Sequence, residues 1–588
     1  MFCLLITLLM TAASPAPAPA PEWRTPFEAS PGNTTATYAE CIAYYQKLAA
    51  AYPQHLHLAE AGSTDAGIPL HEAVLSADGD ADPASTRRKN RRVLFIQNGI
   101  HPGEPEGIDA SMMLTRDLLQ QPRLRQLLAN VTVVVVPVYN IDGALNRNST
   151  SRVNQHGPAA YGFRGNARHL DLNRDYIKQE SRNARSFAAL FQKWQPDVFV
   201  ETHTSNGADY QYTMTLIATQ HSKLAPALGA YLQGQLLPAL YQAMAQKKWP
   251  MTPYVDFAGQ TPESGLQAFL ESPRYSTGYA ALFHTIGFMP ETHMLKAFAP
   301  RVHSTYDFLK TMLETVGQQS AALAAARAAA RAGQATQPSF PLAWALDDTE
   351  HETVQFRGYE GRTKPSEVSG QPRLYYDRAA PFTRPVKYFN TFKPTVAATR
   401  PTAYLIPQAW GEVADILRRN GATLEPLAQD VAVPVEAYYI EDYKTTPKPF
   451  EGHYVHSQVQ LRPVAETVTY HKGDYVCYLT DTAPVRYIIE TLEPQATDSF
   501  FAWGFFDSVL QAKEHFSDYV FEDVAADLLR RDPALRQRLE KLKKDNPAFA
   551  SNGPAQLEWV YSNSPYHEKG HNRYPVARWL GTGKLPSH

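Results

Sequence analysis

Apolar positions along this chain follow two rhythms. In the first half, short apolar runs ("RRVLFIQNG", "NVTVVVVPVYN", "PDVFVET" and "GFMPET") alternate with stretches whose apolar residues recur at helical spacing. The helical stretches include "TYAECIAYYQKLAAAYP", "GIDASMMLTRDLLQQ", "SRNARSFAALFQKW" and "HSKLAPALGAYLQGQLLPALYQAMAQKKW". The Val-dense run lacks polar alternation, which predicts a central strand covered on both faces. Strands alternating with helices predict an α/β fold over residues 22–317: a mixed, mostly parallel sheet flanked by helices.

The rhythm changes near residue 339. Short Tyr- and Val-rich runs such as "PRLYYD", "AYYIEDY" and "DYVCYLTD" stand between Pro and Gly, predicting a β-rich α+β C-terminal domain over residues 339–588. Within it, "AYLIPQAWGEVADILRRNGATLEPL" reads as strand–helix–strand and "VFEDVAADLLRRDPALRQRLEKLKKD" as helix. Residues 318–338 join the two parts. They are rich in Ala with spaced Arg, which favours helix, and Gly333 and Pro338 end the run.

Composition narrows the class. A chain of 588 residues exceeds one ordinary core, so at least two domains are expected. With 44% hydrophobic and 19% charged residues the chain is not disordered, and a net charge of −2 gives no reason for a nucleic-acid partner. Residues 1–21 hold "MFCLLITLLMTAAS" and a Pro/Ala spacer, the pattern of an export signal without the usual preceding Lys or Arg. The run is too short to span a bilayer, and no other segment is apolar enough. A secreted or periplasmic protein without a membrane span is therefore expected. With Cys3 in the leader, Cys41 and Cys477 remain; neither lies in a CxxC pattern, and both read as buried free thiols.

The candidate chemistry lies where apolar runs end. His101 and Glu104 stand three positions apart in "NGIHPGEPEG", and His203 stands in "DVFVETHTSNG". Two imidazoles and one carboxylate are the protein ligand count of a catalytic zinc site, which keeps its fourth position for water. Strand ends of an open α/β sheet are where ligands bind, and Gly99 and Gly103 suit a tight turn there. Other polar clusters follow other runs. "PVYNIDGAL" holds Asn140 and Asp142, read as turn formers. "YGFRGNARHLDLNRDY" holds Arg164, Asp171, Asn173 and Arg174, and "GFMPETHMLK" holds Glu291. His293 is read as a non-ligand, and His453, His456 and His471, which form no ligand pattern, as solvated loop residues.

With "HPGE", "NIDG", "LNRD", "ETHT" and "PETH" in that order, the first half resembles the zinc carboxypeptidase family, the metallocarboxypeptidases of the carboxypeptidase A type. Ile141 stands where that family has Pro, and Asp175 replaces the second Asn of its NRN motif. The resemblance implies one Zn2+ per chain on His101, Glu104 and His203, and Glu291 as general base and acid. It places Arg164 beside the scissile carbonyl and its developing oxyanion, with Arg152 and Arg168 as nearby competitors. Asn173 and Arg174 would grip the substrate's terminal carboxylate, and Asp171 would hold a zinc-binding His from behind. The family's mobile Tyr is assigned to Tyr275, with Tyr254 and Tyr279 as competitors. The implied function is a secreted zinc metallocarboxypeptidase acting on peptides or proteins with a free C-terminus. Two rivals use the same residues: a zinc amidase acting on cell-wall peptides or N-acyl amino acids, and an inactive peptidase-like binding protein.

Overall fold

Val131–Val136 is buried at every position, as a strand without polar alternation must be when helices cover both faces of its sheet. The structure is a computed structural model describing residues 19–205, 207–259, 261–480 and 484–587. The expected export signal in residues 1–14, with Cys3, lies outside the described residues.

Strands of the first half are β1 (Leu56–Ser63), β2 (Pro69–Leu75), β3 (Arg92–Gln97), β4 (Val131–Val136), β5 (Val198–Glu201), β6 (His203–Ser205), β7 (Met214–Ala218), β8 (Met251–Pro253), β9 (Leu266–Gln267) and β10 (Ile286–His293). All but β9 form one mixed sheet in the order β1-β2-β4-β3-β5-β10-β7-β8, with β6 beside β10. The four central strands β4, β3, β5 and β10 run parallel; β1–β2, β2–β4 and β10–β7 are antiparallel.

Helices flank this sheet where the periodicity predicted them, at Tyr38–Ala51, Glu106–Gln120 and Arg182–Trp194, and a further long helix, Phe298–Gln318, joins them. Thr37 and Glu40 form a capping box at the first, and Ser181 caps the third. The long helical run after residue 226 widens to a π turn over Leu232–Leu236, next to Pro238, which lacks a helical donor.

The second half adds β11 (Ser339–Leu346), β12 (Glu352–Pro365), β13 (Pro372–Phe389), β14 (Phe392–Thr399), β15 (Ala403–Ile406), β16 (Glu425–Pro426), β17 (Val431–Thr445), β18 (His456–Tyr470), β19 (Tyr475–Tyr478) and β20 (Ala577–Trp579). β11 pairs with β14, and β12–β13 forms a long ribbon that takes in β9 of the first half. The remaining six strands make a sheet in the order β16-β19-β15-β20-β17-β18. The expected strand–helix–strand unit is β15, helix Gly411–Arg419 and β16. The expected late helix is broken at Asp532–Pro533 into Asp518–Arg531 and Pro533–Asp545.

The halves share a core. Phe187 and Tyr279 belong to the same buried cluster as Val413, Tyr487 and Trp503. A smaller cluster joins Tyr210, Tyr212 and Leu266 to Phe356 and Val386 of the β12–β13 ribbon. The Ala-rich helix Ser320–Thr336 packs through Leu323, Ala326 and Ala330, and its Arg327 pairs with Asp197 at 2.5 Å. Cys41 and Cys477 are buried free thiols, as expected.

Candidate metal centre

Three neighbouring parallel strands bring the donors together. Gln97 of β3 pairs in register with Glu201 of β5, so the chain leaves both strands at the same sheet edge. His101 and Glu104 follow β3, and His203 opens β6, where it is the register partner of Glu291 on β10. The turn after β3 needs its glycines: Gly99 has φ +66°, and a Cβ on Gly103 would lie 2.5 Å from Arg152 Cδ. His101, Glu104 and His203 are all buried, and their ligand atoms lie within 4.8 Å of one another.

Glu104 Oε1 lies 3.3 Å from His101 Nδ1, and Glu104 Oε2 lies 3.1 Å from His203 Nδ1. Donors about 2.0–2.1 Å from one tetrahedral zinc stand roughly 3.3 Å apart, close to each of these two spacings. Each ring is also held from behind. His101 Nε2 lies 3.0 Å from Asp171 Oδ1, and His203 Nε2 lies 3.0 Å from Glu201 Oε2. A carboxylate on Nε2 fixes the tautomer that leaves Nδ1 free to bind metal. Donor chemistry, spacing and backing all fit zinc.

The charges are tightly balanced. Burial opposes ionisation of Glu104, but Arg152 and His101 outweigh it and hold the carboxyl well below its usual range. Burial likewise opposes a charged His203, but its bonds to Glu104 and Glu201 raise its pKa well above the usual value. Burial raises the Glu291 carboxyl; His203 and Arg164 work against that rise, while Glu104 and Glu271 add to it.

The donors open onto a pocket of about 380 Å3, and Glu291, Arg164, Asn173, Arg174 and Tyr275 line it with them. Asp171 sits behind His101 and also caps the 3-10 turn Leu172–Arg174, accepting from Asn173 N at 2.9 Å. One carboxylate thus orders a metal donor and starts the turn carrying Asn173 and Arg174. Arg174 stacks over the Tyr275 ring at 4.4 Å.

The structure sets Arg168 and Tyr279 apart from the other candidates. Arg164 donates through Nε to Asp171 Oδ2 at 2.9 Å, and its Nη1 lies 3.3 Å from His101 Nδ1. Arg152 also reaches the centre, donating to Glu104 Oε1 at 2.9 Å. Arg168 instead donates to the Glu180 carbonyl, away from the pocket lining. Tyr254 lines the pocket with Tyr275, whereas Tyr279 is in the core with its hydroxyl on Asn420. Asn140 behaves as a turn former, tying the Ile100 and Arg164 carbonyls together. His293 bonds Asp209 and stacks on Tyr210 at 4.0 Å.

Two histidines read as solvated are not. His453 bonds Glu180 Oε1 at 2.7 Å, and His456 is buried against Asp507 and Tyr443. Both belong to the β17–β18 hairpin, which folds back onto other parts of the chain; only His471 is exposed. The sequence reading also passed over three carboxylates. Glu201 was within reach, because residues two apart on a strand share a face. Glu271 lines the pocket; burial pushes its carboxyl up to about 7, and it accepts from Thr277 N at 3.0 Å. Glu451 accepts from Asp171 N at 2.9 Å across 280 residues of sequence, a distance no local signal spans.

The zinc carboxypeptidase family profile matches residues 41–243. The chain is 24% identical over 484 residues to carboxypeptidase 2 of Trichophyton rubrum, covering 76% of this chain and 79% of that protein. It is 23% identical to carboxypeptidase 2 of Trichophyton tonsurans over 448 residues, covering 70% and 73%. Alignments this long extend into the second half. Among solved structures, a metallo-carboxypeptidase from Burkholderia cenocepacia is similar at TM-score 0.37 and 17% identity, covering 48% of this chain and 70% of that one. Carboxypeptidase A from Helicoverpa armigera is similar at TM-score 0.37 and 16% identity, covering 50% and 75%.

Proposed function

We infer from a first half that belongs to the zinc carboxypeptidase family that this protein is a zinc metallopeptidase, and we propose that it releases C-terminal residues from peptides outside the cytoplasm. One observation carries the reading: His101, Glu104 and His203 converge in a pocket that also holds Glu291 and Arg174.

His101, Glu104 and His203 would hold the zinc ion, which when bound supplies a Lewis acid and lowers the pKa of water to about 7. Glu291 takes a proton from the attacking water and delivers it to the leaving amine as the carbonyl C–N bond breaks and a C–O bond forms. A carboxyl lifted by burial suits both tasks, since it must accept a proton and then give it up. Arg164 donates to the oxyanion that develops on the scissile carbonyl. Arg152, bonded to Glu104, balances that donor's charge. Asn173 and Arg174 bind the terminal carboxylate, which Arg matches with its planar fork. Asp171 keeps the proton of His101 on Nε2, and Tyr275 covers the substrate beside Arg174.

Export rests on the leader pattern in residues 1–21. No helix among the described residues is long and apolar enough to cross a membrane. The test compares matched peptides with free and amidated C-termini, with and without a chelator. Cleavage of the free peptide alone, abolished by the chelator and restored by zinc, is expected. Equal cleavage of both peptides, or activity unaffected by the chelator, contradicts the reading.

A further inference from the structure

A loop of the second half reaches the site beside Asp171. β17 and β18 form a long antiparallel hairpin, and the loop joining them folds over the first half beside Asp171. Its tip is a two-residue turn. Phe450 N donates to His453 O at 2.8 Å and His453 N to Phe450 O at 3.0 Å, enclosing Glu451 and Gly452. Both enclosed residues are left-handed, with φ of 50° and 82°. Such a turn favours Asn, Asp or Gly at its first central position, so a Glu there points to a constraint outside the turn.

The tip is also clamped. Phe450 stacks on Trp503 with ring centroids 6.2 Å apart, and His453 meets the same ring at 5.6 Å. His453 Nε2 holds Glu180 Oε1 at 2.7 Å, while Lys178 lies 3.2 Å from the other oxygen of Glu180 and 4.9 Å over Trp503. Anchored on both sides, Glu451 presents Oε2 to the main-chain N–H of Asp171 at 2.9 Å. Asp171 is the residue on which the site turns. Its Oδ1 faces His101 and caps the turn carrying Asn173 and Arg174, and its Oδ2 accepts from Arg164.

We propose that Glu451 is a positioning residue of the active site: as an acceptor on the Asp171 main chain, it holds Asp171 where it orders both His101 and the Asn173–Arg174 turn. The second half thereby completes a site whose reacting groups all come from the first. The effect on substrate binding rests on the carboxypeptidase reading; the effect on metal retention rests only on the His101, Glu104 and His203 donor set.

Two full-length variants separate this role from packing. Glu451→Gln keeps an acceptor oxygen at the same reach, and Glu451→Met keeps the length without an acceptor. Zinc affinity is read by competition with a chelator, and KM and kcat are read on a peptide with a free C-terminus. The Gln variant should match the wild type within about twofold. The Met variant should lose roughly 3- to 10-fold in zinc affinity, less than direct loss of a ligand's carboxylate partner causes, and gain a similar factor in KM with kcat nearly unchanged. Wild-type values in the Met variant overturn the proposal, as does a Gln variant impaired as much as Met. If the Met variant does not fold, Glu451→Asp, which draws the oxygens back by one methylene, takes its place with the same expected losses. A wild type that binds zinc but cleaves no peptide would refute the carboxypeptidase reading, and the zinc arm would still decide this proposal.

Discussion

Asp171 is approached from two directions, and the two approaches differ in kind. From the first half, His101 reaches it because β3 ends beside β5, which in turn lies beside β10, so that parallel neighbours deliver their following residues to one edge. From the second half, Glu451 reaches it because two strands of fifteen residues each carry a turn back across the molecule. Sheet order concentrates reactive groups, whereas a docked hairpin adds a single contact held by its own anchors. Changes on the first side should therefore alter chemistry, and changes on the second should alter alignment or stability.

The largest effect expected is on the chemical step. Glu291→Gln should lower kcat by about 10²- to 10⁴-fold, the usual contribution of a general base, with zinc content unchanged by metal analysis. Arg174→Ala should lower kcat/KM on free C-termini by about 10- to 100-fold, as expected for a lost charged hydrogen bond; activity on amidated peptides should not fall further. Asp171→Asn, which keeps the shape but removes the charge behind His101, should weaken zinc binding by about tenfold in chelator competition.

Smaller effects test the hairpin side. Burial opposes ionisation of Glu180, but its bonds to His453 and Lys178 lower its pKa from 4.5 to about 2. A carboxyl whose folded pKa is depressed contributes stability above its unfolded pKa and loses it as pH falls toward the folded value. The melting temperature should therefore fall between pH 4.5 and 2, and Glu180→Gln should flatten that part of the profile. Smallest of all, Arg462→Ala on the exposed face of the same hairpin removes a half-exposed pair with Glu441. It should change stability by about 0.5 kcal/mol or less, and leave zinc affinity and KM as they were.

The same contrast explains what the sequence disclosed. Apolar runs without polar alternation such as Val131–Val136 marked the central strands, and ligand types placed just after two other such runs marked the donors. The edge hairpin β1–β2 escaped because "LHLAEAGS" mixes small and charged residues with little alternation. β6, β7 and β8 are three to five residues long, too short to establish a period. Arg164 and Arg152 could not be ranked beforehand because both lie on the winding segment between Asn146 and Asp171, and both fold onto the centre. Glu451 was invisible because its partner is 280 residues away.

Metal analysis of the purified full-length protein and of His203→Ala tests the central claim most directly. The account predicts one zinc per wild-type chain and loss of that zinc in a variant that stays folded by circular dichroism. Full peptidase activity in zinc-free wild type, or an undiminished zinc content in His203→Ala, would contradict it.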